Sequence, residues 1–253
     1  MTNLDQWELD KLSSPQSKVA LQEDRFVILP CGSTEQHGPN LPLFTDTLIA
    51  EGLLKRIIGQ LSKNNNFLIL PTVCFGCSEE HISFSGTISL RRYTFESLIM
   101  DIASSVARYG AKRLLLFNCH GGNDASLKAV VRDIRRETGI IPYLFNLYES
   151  KSLQRRSIPM DLHASCIEMS FMLALHPKLI GNKTVSSFNI TNSQWQEKDL
   201  QLHVPWKAEE MAPDGVIGNP EGASAELGEE LITSVIEELL SLLRLRPNRK
   251  QNR

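Results

Sequence analysis

From Gly32 the chain reads Ser33-Thr34-Glu35-Gln36-His37-Gly38-Pro39-Asn40-Leu41-Pro42-Leu43-Phe44-Thr45-Asp46, placing Glu35, His37 and Asp46 within twelve residues. A carboxylate and an imidazole two apart in an extended segment point to the same side. The Pro-containing turn that follows can bring Asp46 back beside them. A further donor, His120, lies in Asn118-Cys119-His120-Gly121-Gly122-Asn123. Two carboxylates and two imidazoles form a mixed O and N ligand set, which suits Zn, Mn or Fe(II) better than Ca or Mg. A carboxylate between two such ions can bridge them, and ions about 3.5–4 Å apart can share a hydroxide nucleophile and polarise a carbonyl. Glu35, His37, Asp46 and His120 are therefore the candidate metal ligands.

Two further stretches carry chemistry. In Asp161-Leu162-His163-Ala164-Ser165-Cys166-Ile167-Glu168-Met169-Ser170, Glu168 stands among Ile167, Met169, Phe171, Met172 and Leu173. A carboxylate buried there needs a partner, and a metal ion or a metal-bound histidine would serve. The loop Ser78-Glu79-Glu80-His81 is expected to line a pocket. Ser78, His81 and Asn123 are the expected substrate contacts. Cys74-Phe75-Gly76-Cys77 has zinc-finger spacing, but no second cysteine pair answers it. The glycines beside His120 also allow a phosphate loop, yet that loop lacks the Lys-[Ser/Thr] of a P-loop and the third glycine of a dinucleotide fingerprint.

These residues need a scaffold, and the apolar pattern supplies one. Arg25 to Cys31, Phe67 to Val73, Arg113 to Phe117 and Ile140 to Leu147 are short apolar runs that read as buried strands. Between and after them, Asp46 to Leu61, Thr94 to Tyr109, Asp124 to Thr138, His163 to Leu175 and Ser224 to Leu245 have helical spacing. Gly110 and Gly139 sit where helices end, and Ser224 where the last one is capped. Strands alternating with helices imply an α/β fold with a mostly parallel sheet, whose ligand sites lie outside the carboxyl ends of the strands. The Glu35 loop follows the first strand and the His120 loop follows the third, so both are expected at one sheet edge.

Composition excludes several classes. A net charge of -2 gives no field for nucleic acid or an anionic membrane. No apolar run reaches membrane-spanning length, and Met1 to Leu12 lacks the apolar core of a signal peptide. Five cysteines, an odd number, read as reduced thiols of a cytoplasmic protein. Residues 1–245 read as one domain and 246–253 as a basic disordered tail.

Taken together, the motifs resemble the creatininase (creatinine amidohydrolase) family. The resemblance runs through Ser33 to Pro39, Leu41-Pro42 and Thr45-Asp46-Thr47, then Glu80-His81 with Phe84-Ser85-Gly86-Thr87. It continues through Asn118 to Asn123, His163-Ala164-Ser165 with Glu168-Met169-Ser170, and Gly215 to Pro220. It implies a three-layer α/β/α sandwich, a centre of two zinc or manganese ions, and a homo-oligomer, commonly a hexamer. The implied activity is metal-dependent hydrolysis of a C–N amide or lactam bond other than a peptide bond in a small molecule, creatinine to creatine being the family label. On this resemblance Glu35 and His120 hold one ion, His37 the other, Asp46 bridges, and His163 moves protons. Two positions depart from the family's name-giving enzyme: Gly122 stands in place of a metal-binding Glu, and Pro159 in place of a tryptophan. Glu168 is the expected substitute for the missing carboxylate. The Gly-Gly-Asn version resembles the family's formamide deformylases and peptidases, which are the alternative activities. A metal-binding scaffold subunit without catalysis is the alternative from another class.

Overall fold

The computed structural model describes residues 8–22, 24–60, 67–154, 161–182 and 206–244. After α1 (Ser14–Gln22), the chain alternates β1 (Phe26–Cys31), α2 (Thr45–Gln60), β2 (Phe67–Ile69), α3 (Arg92–Arg108), β3 (Arg113–Asn118), α4 (Asp124–Thr138) and β4 (Ile141–Asn146). It continues through α5 (Lys151–Gln154), β5 (Asp161–His163), α6 (Cys166–Leu175), α7 (Ala208–Met211), β6 (Ile217–Gly218) and α8 (Ala225–Arg244). The first four strands form one parallel sheet in the order β2-β1-β3-β4.

Because strand side chains alternate between faces, β1 and β3 feed two cores. Phe26, Ile28, Leu115 and Phe117 pack on one side with Ile49, Leu53 and Ile57 of α2, Phe171 and Met172 of α6, and Leu231, Val235 and Leu239 of α8. Val27, Leu29, Leu114 and Leu116 pack on the other with Ala20 and Leu21 of α1, Phe95, Ile99 and Ala103 of α3, and Leu127, Val130 and Ile134 of α4. The result is the expected α/β/α sandwich. From β1 the chain passes to β2 on one side and then crosses to β3 on the other. The crevice between the carboxyl ends of β1 and β3 is thus the switch point of the sheet, where such folds bind ligands.

Several elements differ from the sequence reading. β2 stops at Ile69 instead of reaching Val73, because Pro71 has no N–H for the ladder. The chain rejoins β1 only at Val73, whose N–H donates to Pro30 O and whose carbonyl accepts from Gly32. His163 does not open a helix: it closes β5, which pairs antiparallel with β6 in a second small sheet. A left-handed Ala164, φ +54°, turns the chain into α6, which begins at Cys166. Ser224 caps α8 as expected, accepting the Leu227 N–H at 3.0 Å. None of the five cysteines is in a disulfide. Among the described residues no helix is long and apolar enough to cross a membrane. Pro159, Trp195 and the basic tail lie outside the described residues.

Candidate metal centre

The loop after β1 folds back tightly enough to return Asp46 to the strand end. Gly32 makes this possible, since a Cβ there would stand 2.5 Å from Thr47 Oγ1 and 2.8 Å from the Thr47 backbone. The Thr47 hydroxyl then donates to Ser33 O at 3.0 Å, and Ser33 Oγ donates to Asp46 Oδ2 at 2.7 Å. On the neighbouring strand the Cys119 N–H donates to Cys31 O at 2.9 Å, which carries His120 to the same edge. Glu168 arrives from the other side, in the first turn of α6.

Glu35, His37, Asp46, His120 and Glu168 are all buried. Asp46 lies between the two imidazoles: Oδ2 is 3.0 Å from His120 Nδ1, and Oδ1 is 3.3 Å from His37 Nε2. Glu35 Oε1 is 3.3 Å from His120 Nδ1, and Glu168 Oε2 is 3.7 Å from His37 Nε2. Two donor triads follow, Glu35–Asp46–His120 and His37–Asp46–Glu168, with Asp46 common to both. A third, Glu35–His37–His163, overlaps them. Each imidazole is oriented through its far nitrogen. His37 Nδ1–H donates to Glu35 O at 3.1 Å, and His120 Nε2–H donates to Cys77 O at 2.7 Å. That leaves His37 Nε2 and His120 Nδ1 facing the carboxylates, the arrangement in which a backbone carbonyl fixes the tautomer of a metal-binding histidine.

The electrostatics call for positive charge. Burial pushes the Glu35 pKa up to about 7; His120 pulls against this and Asp46 adds to it. Burial opposes protonation of His37, but Asp46, Glu168 and Glu35 outweigh it and hold its pKa at about 10. His120 is likewise raised, by Glu35 and Asp46 against burial. The Asp46 pKa lies well below the usual carboxylate range, because His37 and His120 overcome the effect of burial. Protons on two buried imidazoles therefore stand in for a cation. Both Glu35 carboxylate oxygens are buried without a hydrogen-bond partner. An ionised carboxylate so placed is costly unless it binds a metal or finds a partner, and the residues present fit divalent ions of the Zn, Mn or Fe(II) kind.

Gly122 has a physical reason. A Cβ at that position would lie 2.0 Å from Cys77 O and 2.6 Å from His120 Nε2. The carbonyl that orients His120 thus excludes any side chain at residue 122. On the His37 side, the Ala164 N–H donates to Glu168 Oε2 at 2.6 Å.

The site opens into a cavity of about 690 Å³ lined by Glu35, His81, His120, His163, Glu168, Tyr148, Ile167 and Trp206 among others. His163 and His81 both line it. Burial, then His37 and His81, hold the His163 pKa well below its ordinary value; burial, then His120 and His37, lower that of His81 to about 3. Ser78 and Asn123 lie behind the residues that line the cavity. Ser78 stands behind His120, its Oγ 3.3 Å from Nε2. Asn123 is fully buried, and its amide is taken up by Gly32 O, Asn118 Oδ1 and the Cys77 N–H. It ties β1, β3 and the loop at 74–77 together. Tyr148, beside Glu168, was missed in the sequence because it follows β4 in a stretch with no motif. Burial, then Glu168 and Asp46, raise its pKa well above the ordinary value, so it remains a phenol. Trp206 meets His81 edge-on at 6.1 Å.

The protein is thus an α/β/α sandwich with buried carboxylates and histidines at its switch point, a donor set that could hold divalent metal. The family model described as "Creatininase: Creatinine amidohydrolase" matches residues 10–243, and the chain belongs to that family. It is 31% identical over 220 residues to a mycofactocin precursor peptide peptidase of Mycobacterium ulcerans, covering 85% of this chain and 83% of that one. A crystal structure from Bacteroides fragilis, described as a creatinine amidohydrolase, superposes with a TM-score of 0.79 at 25% identity, covering 94% and 95% of the two chains. A structure described as "Creatininase Mn" has a TM-score of 0.71 at 21% identity, covering 94% and 97%, and supports the fold.

Proposed function

We propose that this creatininase-family hydrolase uses two divalent ions to cleave a C–N amide bond. The observation that carries this is the Glu35 carboxylate, buried with both oxygens unpartnered beside His120 and the bridging Asp46. Glu35, Asp46 and His120 would hold one ion, and His37, Asp46 and Glu168 the other. Bound there, the ions would lower the pKa of a water and polarise the carbonyl. A relative described as manganese creatininase and another as "Zn-Zn type" support that donor chemistry.

The chain's own residues do the rest. Ser33 and the Cys77 carbonyl hold Asp46 and His120 in register. His163 donates its Nε2–H to Gln36 O at 2.8 Å, so Nδ1 is the nitrogen facing the cavity, with a free lone pair. It therefore begins as the base. Nδ1 takes a proton from water as the water oxygen bonds to the carbonyl carbon. It returns that proton to the nitrogen when the C–N bond breaks, leaving a carboxylic acid and an amine.

The amide is not confined to non-peptide bonds, because a peptide peptidase is among the relatives at 31% identity. Glu79 and Glu80 join the cavity wall, and its described lining residues include no Lys or Arg, which favours a neutral or cationic substrate over an anion. The non-catalytic alternative rested on the carboxylate lost at Gly122; Glu168, 3.7 Å from His37 Nε2, supports the catalytic reading instead. Elemental analysis with a screen of lactams, formamides and short peptides tests the proposal. Two ions per chain and turnover are expected, with Asp46→Ala and His120→Ala losing both. Full turnover by metal-free Asp46→Ala protein would sink it.

A further inference from the structure

Gln36 separates Glu35 from His37 and is engaged at every polar atom. Its Oε1 accepts the Gly38 N–H at 2.8 Å, while its Nε2 donates to Gly215 O at 3.0 Å and faces His81 Nδ1 at 2.9 Å. The two backbone partners decide which end of the amide is oxygen and which is nitrogen. With an N–H aimed at it, His81 Nδ1 must be the unprotonated nitrogen, so the ring proton sits on Nε2. The seat is tight: Gly215 has φ +78°, and a Cβ there would lie 2.1 Å from Gln36 Oε1.

The main-chain carbonyl of the same residue accepts His163 Nε2–H. One residue thus sets two rings in opposite senses. His163 turns a lone pair toward Glu35 Oε1 at 3.6 Å, and His81 turns an N–H toward the same oxygen at 3.7 Å, beyond hydrogen-bonding distance. The rings stack at 4.1 Å and 29°, and both line the cavity.

We propose that Gln36 is a positioning residue that holds His81 as a neutral Nε2–H donor to the carbonyl oxygen of the scissile amide. This rests on the hydrolase reading above. His81 keeps its proton throughout and only hydrogen-bonds the oxygen as charge gathers there; the proton that moves travels through His163. A preorganised donor of this kind is worth about 10²–10³ in kcat.

Two measurements test it. In histidine-labelled, zinc-loaded full-length protein, magic-angle-spinning ¹⁵N spectra should show His81 protonated at Nε2 and bare at Nδ1, assigned by loss of its signals in His81→Phe. Gln36→Leu should mix the tautomers. Acetate, a probe for the product's carboxylate oxygen, should shift the Nε2–H proton of His81 downfield. A wild-type ring protonated at Nδ1, or an Nε2–H indifferent to saturating acetate, overturns the proposal. In the second measurement His81→Phe keeps the ring stack and should lower kcat by about 10²-fold with KM little changed; unchanged kcat also overturns it. If wild-type protein turns over nothing in the screen, the hydrolase reading fails, while the spectra still decide whether His81 is the donor.

Discussion

Glu35→Gln should make the metal-free protein more resistant to unfolding at alkaline pH while destroying its metal site. Glu35 is 1% exposed, and its carboxyl pKa is raised from 4.5 to about 7. A carboxyl raised in the folded state binds more protons there than in the unfolded chain, so stability falls as pH rises between those values. Each pKa unit is worth about 1.4 kcal/mol, and the cost grows by about 2–3 kcal/mol between about pH 5 and pH 8. Glutamine keeps the shape and cannot ionise. Its own burial penalty does not vary with pH, so the difference in slope reports the carboxylate together with its pull on His120 and His37. Urea unfolding in EDTA, wild type against variant, at about five pH values reads that slope. Wild type should lose about 2–3 kcal/mol relative to the variant across the range. Adding zinc should reverse the order: a ligand at about 100 times its Kd adds about 2.7 kcal/mol to the protein that binds it and nothing to the one that does not. Parallel pH profiles in EDTA would refute the reasoning, because they would mean that Glu35 already has a partner in the metal-free fold.

Three other substitutions probe separate parts of the site. Glu168→Gln should fall from two bound ions to one by elemental analysis, since its carboxylate stands on the His37 side of Asp46; two tightly held ions would contradict that assignment. Gly122→Ala should destabilise the fold by about 2–5 kcal/mol, combining overpacking with a lost hydrogen bond, because its Cβ meets Cys77 O; an unchanged urea midpoint would count against the geometry. His163→Ala should keep its metal yet lose about 10²–10⁴ in kcat, and added imidazole should restore part of that activity.

How much of this was legible depended on whether a residue's partner was near in sequence or signalled by pattern. β1 and β3 were readable because a strand buried on both faces is a continuous apolar run, here Phe26–Cys31 and Leu114–Phe117. The buried cluster of Glu35, His37, Asp46 and His120 was readable because these residues follow those strands at the edge where such sheets bind ligands. β5 and β6 were not, since three residues and two residues carry no periodicity and find each other across more than fifty positions. The burial of Asn123 was not legible for a related reason. An amide beside a histidine loop looks available to a substrate, and only the fold shows Gly32, Asn118 and Cys77 using it up. Gln36 carried a signal that spacing arguments pass over: a residue between two ligands on an extended segment points away from them, toward whatever orients the next shell of groups.

The exchange between Gly122 and Glu168 links the backbone to the chemistry. A carboxylate at residue 122 would come from the loop after β3, whose conformation here is set by Cys77 O receiving His120 Nε2–H. That hydrogen bond leaves no space for a side chain at 122, so on the proposed function the charge comes from another element. The carboxylate proposed for it is in the first turn of α6, where the left-handed Ala164 turns its N–H onto Glu168 Oε2. A left-handed non-glycine residue costs about 1–2 kcal/mol, and the charge-assisted hydrogen bond to Glu168 offsets it by a similar amount. The turn that carries Ala164 also ends β5 at His163. Supplying the carboxylate from α6 therefore couples the His37 side of the centre to the placement of the base. A change that straightens the Ala164 turn, such as Ala164→Val, should lower metal affinity and kcat together, whereas His163→Ala should lower kcat alone.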